Sequence, residues 1–184
     1  MPKISTYGTV TPSPSDLIVV SDANDSNATK NIRVDSLSSA IAPTYYIDAY
    51  SNITSVTTIS QADTYVDLNV TLSQGLADGY SVSGNSVTNI NTPQTTLLSQ
   101  VTVIMTLSAG NGNVITAVLN NNGSDVVASI QDAEAPGNND DFSLSMTCIT
   151  NVAHNQALKI RVKNSAIANA NVTCKHINFV VHSI

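Results

Sequence analysis

The sequence predicts an all-β, antiparallel fold, either a sandwich or a barrel, and three observations carry that prediction. Strong helix formers are scarce: glutamate occurs once, at Glu134, and Asn, Ser and Thr fill the places that charged residues usually take. These short polar side chains compete for backbone hydrogen bonds and disfavour helix interiors. Val, Ile and Thr are abundant, and they suit pleated, half-buried surfaces. From Asp63 onward, short alternating runs recur between turn signals at the spacing of an all-β domain. Charged residues make up 11% of the 184 positions, against roughly a quarter in ordinary soluble domains. This composition excludes coiled coils, helical bundles and collagen-like rods. A hydrophobic content of 42% with a net charge of only -6 also excludes plain disorder.

Residues 1–43 differ from the rest. Pro12, Pro14 and Ser15 break the chain before the apolar run Leu17-Ile18-Val19-Val20. A turn-rich loop from Asp22 to Thr29 follows, then Ile32-Arg33-Val34, so the segment reads as a small hairpin with a long tip. Asp35 or Ser36 is placed to cap a brief helix, Leu37 to Ile41, which Pro43 ends. So few apolar side chains cannot make an independent core, so this unit needs a partner surface. Residues 44–62 read as a Thr/Ser-rich linker containing Tyr45, Tyr46 and Tyr50.

Residues 63–184 form the main domain. Its expected strands begin with Tyr65–Val70, then Val87–Ile90 after a loop-rich stretch from Gly75 to Gly84. The longest run, Leu97 to Leu107, places Leu97, Val101, Val103, Met105 and Leu107 on one face. Gly110-Asn111-Gly112-Asn113 is the strongest hairpin signal, with Val114–Leu119 as the returning strand. Asn121-Asn122-Gly123 marks another turn, Val126–Ile130 a short strand, and Asp132–Asp141 an acidic loop. Phe142, Leu144, Met146 and Cys148 alternate with polar residues, as do Leu158, Ile160 and Val162 with Lys159, Arg161 and Lys163. In the last strand, Val172 and Cys174 are out of phase with Ile177, Phe179 and Val181, which predicts a bulge near Lys175.

Several function classes fall away. Seven basic against thirteen acidic residues leave no electrostatic footprint for nucleic acid. No stretch approaches the roughly 18 apolar residues that span a bilayer, so no membrane partner is expected. The N-terminus, Met1-Pro2-Lys3-Ile4-Ser5, lacks an apolar signal-peptide core, and synthesis in the cytoplasm without export is expected. Nucleophile-elbow, phosphate-loop and metalloprotease motifs are missing. The chain is therefore expected to be no enzyme and to need no cofactor.

From Tyr65 to Ile184 the order of elements resembles the trimeric jelly rolls of the tumour-necrosis-factor (TNF) and C1q type. The resemblance rests on the opening strand Thr64-Tyr65-Val66-Asp67-Leu68 and the long strand Val101–Leu107 before Gly-Asn-Gly. It also rests on a Val-x-x-Ser-Ile strand at Val126–Ile130 and on the terminal Ile177-x-Phe179-x-Val181. The N-terminal part resembles the particle-attachment segments of tailed-phage virion proteins. Those begin Met-Pro-Lys-Ile-Ser and continue through a Leu-Ile-Val-Val strand to a Thr-Lys-x-Ile-x-Val-x-x-Leu element, here Thr29 to Leu37. The combined resemblance implies an antiparallel TNF/C1q-like jelly roll on an N-terminal attachment segment, assembled as a homotrimer with one sheet facing the threefold axis. It also implies a structural virion protein that decorates or cements the capsid, or forms a head fibre, with the major capsid protein or another virion protein as partner. The expected location is the capsid surface. The alternatives are a short tail fibre or adhesin that binds a host surface glycan through Asn120–Asp125 and Asp132–Asp141, and a free carbohydrate-binding module.

On this reading Leu17, Ile18, Val19, Val20, Ile32, Val34, Leu37 and Ile41 form the docking set. His176, Val180 and His182 share one strand face and are the candidates for the trimer axis, where rings of imidazoles bind metals or respond to pH. The plainer expectation for both histidines is an ordinary polar interface or surface position, and His154 reads as a surface residue in a turn. Cys148 and Cys174 are expected as two reduced thiols, because a third strand separates theirs in the implied topology. Asp22–Asn27 begins like a calcium loop, but its sixth residue is Asn27 rather than Gly, and Arg33 stands at the twelfth position. It is expected to be a hairpin tip. Asp132, Glu134, Asp140 and Asp141 are expected to line a solvated loop, and no metal site is expected.

Overall fold

The structure is a computed structural model, and it describes residues 17–22, 28–33, 44–91, 95–165 and 170–184. The chain divides into two units, Met1–Pro43 and Thr44–Ile184. In the first, β1 (Leu17–Asp22) and β2 (Ala28–Arg33) pair antiparallel from Leu17 opposite Arg33 to Asp22 opposite Ala28. The hairpin tip with its calcium-like sequence, and the short helix expected at Leu37–Ile41, lie outside the described residues.

The second unit holds two antiparallel sheets. Four long strands follow from alternation of apolar and polar residues, with one slip in the last: β9 (Leu97–Ala109), β13 (Asp141–Val152), β14 (Ala157–Asn164) and β15 (Ala170–Ser183). On β9, Leu97, Val101, Val103, Met105 and Leu107 are buried while Leu98, Gln100 and Ile104 are exposed. One sheet runs β13-β9-β15-β3-β6, where β3 is Tyr46–Ser51 and β6 is Ser73–Asp78. Next to β3 along the same side of β15 lies β4 (Ser55–Ile59). The other sheet runs β11-β10-β14-β8-β7. Its members are β11 (Ser124–Asp125), β10 (Val114–Asn121), β14, β8 (Ser86–Asn89) and β7 (Tyr80–Ser83), with β12 (Gln131–Glu134) also on β10 and β5 (Val66–Asp67) also on β14. The inward residues of both sheets make one core, mostly aliphatic, with Phe179 and Tyr80 as its largest fully buried side chains. The Tyr80 hydroxyl keeps a partner there, 2.7 Å from Ser99 Oγ.

The bulge expected near Lys175 is present: the pairing of β15 with β9 shifts register between Cys174 and His176, which turns Cys174 and Ile177 to the same side. Cys148 and Cys174 are both buried and unbridged, with β9 between their strands. Burial raises both thiol pKa values, that of Cys174 to about 11.

Four expectations are corrected. Residues 44–62 are no linker, because they carry β3 and β4, both hydrogen-bonded to β15. The Gly75–Gly84 stretch contains most of β6, whose exposed residues give little hydrophobic signal, and all of the short β7, where Tyr80 alone is fully buried. The Gly110–Asn113 turn forms as expected, with Gly112 at φ 71° and Asn113 N donating to Gly110 O at 3.1 Å. However, it joins β9 to β10, which lie in opposite sheets, so it is a corner between layers rather than a hairpin. Val126–Ile130 is not a strand either. Val127–Ser129 forms a 3₁₀ turn, pinned where buried Ser129 Oγ accepts from Leu119 N (2.8 Å) and donates to Val126 O (2.7 Å).

Candidate functional site

The two outward faces of the sandwich differ in chemistry. On the six-stranded sheet, the alternation that buries β9, β13 and β15 turns Ile104, Ile149 and Val180 outward beside Thr102 and Thr147. Ile104 is 54% exposed and Ile149 57%. The two threonines stand opposite each other in register, their hydroxyls 3.2 Å apart. β3 adds Tyr46, Asp48 and Tyr50 to this face. Apart from the Lys175–Asp141 ion pair at one end, these four strands present outward one carboxylate, Asp48, and no Lys or Arg. His176, Val180 and His182 lie on this face. The His182 ring stacks on Tyr46 with centroids 6.0 Å apart, and His176 Nδ1 lies 3.4 Å from Asn52 Oδ1.

The seven-stranded sheet carries the basic stripe of β14, and each of its cations is paired. Lys159 Nζ lies 3.1 Å from Asp67, and Lys163 pairs with Asp63. Arg161 Nη1 meets both oxygens of Asp125 at 3.0 and 3.1 Å, while its Nη2 donates to Tyr65 O at 2.8 Å. The Tyr65 ring sits beside this row, 5.1 Å from Lys163 Nζ and 5.7 Å from the Arg161 guanidinium carbon. The hydrogen bond from Lys163 to Asp63 raises the ammonium pKa, and partial burial raises that of the Tyr65 phenol. The stripe is therefore a compensated surface. A basic patch with free charge to offer an anion would look different.

At one edge of this sheet, β10 and β11 form a two-residue hairpin. Asn122 and Gly123 both have positive φ, 48° and 93°, as the favoured hairpin turn requires. Asn120 braces the turn from within, accepting from Gly123 N at 2.9 Å and donating to Asp125 at 2.6 Å. Asn121 braces it from the other side, donating to Asn151 O at 2.7 Å. Two open clefts, of about 420 and 480 Å³, flank the hairpin and share Asn122. Asp67, Lys159 and Arg161 line the first, and Thr96, Thr150 and Gln156 the second. Asn89 stitches the neighbouring loops together. It is fully buried, and its Nδ2 donates to Val152 O (2.8 Å) and Thr95 O (3.2 Å).

Comparison with solved structures identifies the architecture. Murine APRIL superposes on 77% of this chain over its own whole length, with a TM-score of 0.54 at 10% identity. Eiger TNF from S. frugiperda also covers 77% of the chain and matches 91% of its own, at 0.50 and 12%. The fold is a TNF/C1q-like jelly roll. The PRD1 vertex protein P5 superposes less closely, at 0.47 and 15% identity over 76% of this chain and 96% of its own. No protein-family model matches the sequence, and no curated protein does.

Within the jelly roll the residues singled out from sequence scatter. The axis candidates share one face, while His154 sits in the Ala153–Gln156 turn, half-buried, with Asn155 at φ 64°. The acidic residues of 132–141 divide: Asp132 and Glu134 lie on β12, and Asp141 pairs with Lys175. Among the described residues, no three His, Cys, Asp or Glu side chains gather where a metal would sit. Of the docking set, Leu17, Ile18, Val19 and Val20 lie on β1 and Ile32 on β2. Val34, Leu37 and Ile41 lie outside the described residues. Sequence reasoning missed Asn89 and the bracing roles of Asn120 and Asn121. In a chain this rich in asparagine, nothing in composition marks the few that are buried.

Proposed function

We propose that this chain is a structural, non-enzymatic virion protein of a tailed phage, a homotrimer whose N-terminal unit docks on the particle while the jelly roll projects from it. The observation that carries the assembly half is the contrast between the two outward faces. One is ion-paired, whereas the other turns exposed Ile104 and Ile149 and half-buried Val180 outward among threonines, with no Lys or Arg apart from Lys175, which pairs with Asp141 at one end. Such a face is inexpensive to desolvate, and burying about 1,000 Å² of apolar surface per subunit supplies roughly 25 kcal/mol of gross hydrophobic free energy before entropic costs. The docking half is supported by the separate N-terminal unit and by its likeness in sequence to phage attachment segments. A segment that binds only the assembled shell would stabilise that shell by mass action, which is what a cement does.

The test has two arms. Light scattering of the full chain at micromolar concentration should return three times the monomer mass of 19.2 kDa. A monomeric mass overturns the assembly half. Counting copies per particle addresses location, since hundreds indicate capsid decoration and tens a tail component.

A further inference from the structure

We propose that the two clefts flanking the Asn122–Gly123 turn form one binding site for a neutral oligosaccharide. The inference goes beyond the structural role proposed above. It stands on the clefts alone and needs no assembly.

Three features select this ligand class. The clefts adjoin across a single side chain, Asn122, so a ligand of a few linked rings reaches both. Their lining offers donors and acceptors together: amides at Asn122 and Gln156, and hydroxyls at Thr96, Ser124 and Thr150. Vicinal hydroxyls, each donor and acceptor at once, match such a surface, whereas an apolar ligand would strand these groups without partners. The third feature is charge. Lys159 and Arg161 face the first cleft, yet Asp67 and Asp125 already neutralise them. A phosphate or carboxylate ligand would have to displace those carboxylates. A hydroxyl accepts from the same ammonium and donates to the same carboxylate without breaking the pair.

The wall between the clefts is rigid before any ligand arrives. Asn120 ties both ends of the turn, Arg161 clamps Asp125, Asn121 holds Asn151 O, and Asn122 N donates to Ala157 O at 2.9 Å. Preorganisation of this kind lowers the ordering cost of binding. Neither cleft is lined by an aromatic side chain, so single-site affinity rests on hydrogen bonds and is expected to be weak.

The test is ligand-observed and protein-observed NMR on the full chain. The neutral probes are chitotriose, maltotriose and mannotriose, and 3′-sialyllactose is the anionic comparison. The expected result is binding of at least one neutral trisaccharide, with shift changes confined to Asp67, Thr96 and residues 120–126 and 150–161. Asn122→Gly keeps the turn's backbone conformation and removes the shared amide, and Thr150→Val removes a hydroxyl. Together they should weaken binding about tenfold, the equivalent of about 1.4 kcal/mol, with the remaining amide spectrum unchanged. Silence from all three neutral probes at millimolar concentration overturns the proposal. So do a preference for sialyllactose, shifts elsewhere on the surface, or a double variant that binds as well as the parent.

Discussion

At the scale of single residues, the fold depends on a few side chains whose context decides their chemistry. Asn122 holds φ 48° in a position where a side chain with a Cβ is strained unless, like Asn, it tolerates the left-handed region. Asn122→Ala should therefore cost about 1 kcal/mol in urea unfolding, while Asn122→Gly should cost less. Equal loss from both would mean that the amide, not the backbone, matters. Cys174 offers a pH-dependent counterpart. Burial raises its folded pKa to about 11, above the ordinary thiol value of 9.0. The native state therefore holds its proton in a range where the unfolded chain releases it. The resulting stability is fully present below pH 9 and is lost as pH rises through 11, on the order of 3 kcal/mol in total. The urea midpoint should fall over that range, and Cys174→Ala should flatten the fall. Arg161 is the third such residue. Arg161→Ala leaves Asp125 without its clamp, and a loss of roughly 1–3 kcal/mol is expected by thermal or urea denaturation.

At the scale of elements, alternation and tertiary context divide the work. The faces of β9, β13 and β14 could be read from Val101-x-Val103-x-Met105, Leu144-x-Met146-x-Cys148 and Leu158-x-Ile160-x-Val162, because a half-buried strand writes its burial into every second residue. The bulge in β15 was legible for the same reason, as a break in that rhythm. β6 was not, since Ser73–Asp78 is an almost wholly exposed strand whose order comes from backbone pairing with β3. Ser129 shows the converse. Val126–Ile130 has strand composition, but one buried hydroxyl bonded to Leu119 and Val126 makes it a 3₁₀ turn. The exposed face of the six-stranded sheet carries its own prediction. Ile104→Lys replaces a side chain that is more than half exposed within the subunit. It should leave the secondary structure intact by circular dichroism while shifting the mass from trimer to monomer by light scattering. An unchanged oligomer would remove this face from the proposed interface.

At the scale of the whole molecule, the two units imply separable tasks. Deleting residues 1–43 should leave the jelly roll folded and its oligomeric state unchanged while abolishing incorporation into particles. Normal incorporation of the deleted chain would dissociate the N-terminal unit from docking. Asn120–Asp125 was legible in sequence as a candidate glycan-binding loop, but the clefts that flank it were not. Asn-Asn-Gly announced a turn, but the surroundings of Asn122 come from β10, β11 and β14 of one sheet and β13 of the other, which only the packed sandwich brings together. The basic stripe was legible as three cations on one face. Its neutralisation was not, because Asp63, Asp67 and Asp125 are distant from it in sequence. What the sequence by itself determined is local: which residues alternate, where turns need Gly or Asn, where the rhythm slips, and that charge is scarce. Only the tertiary structure decided which strands share a sheet, that the Gly110–Asn113 turn crosses between layers, and which outward face is left apolar. Turn chemistry and periodicity set backbone angles and facing over a few residues, whereas strand partners are chosen by burial across the whole core.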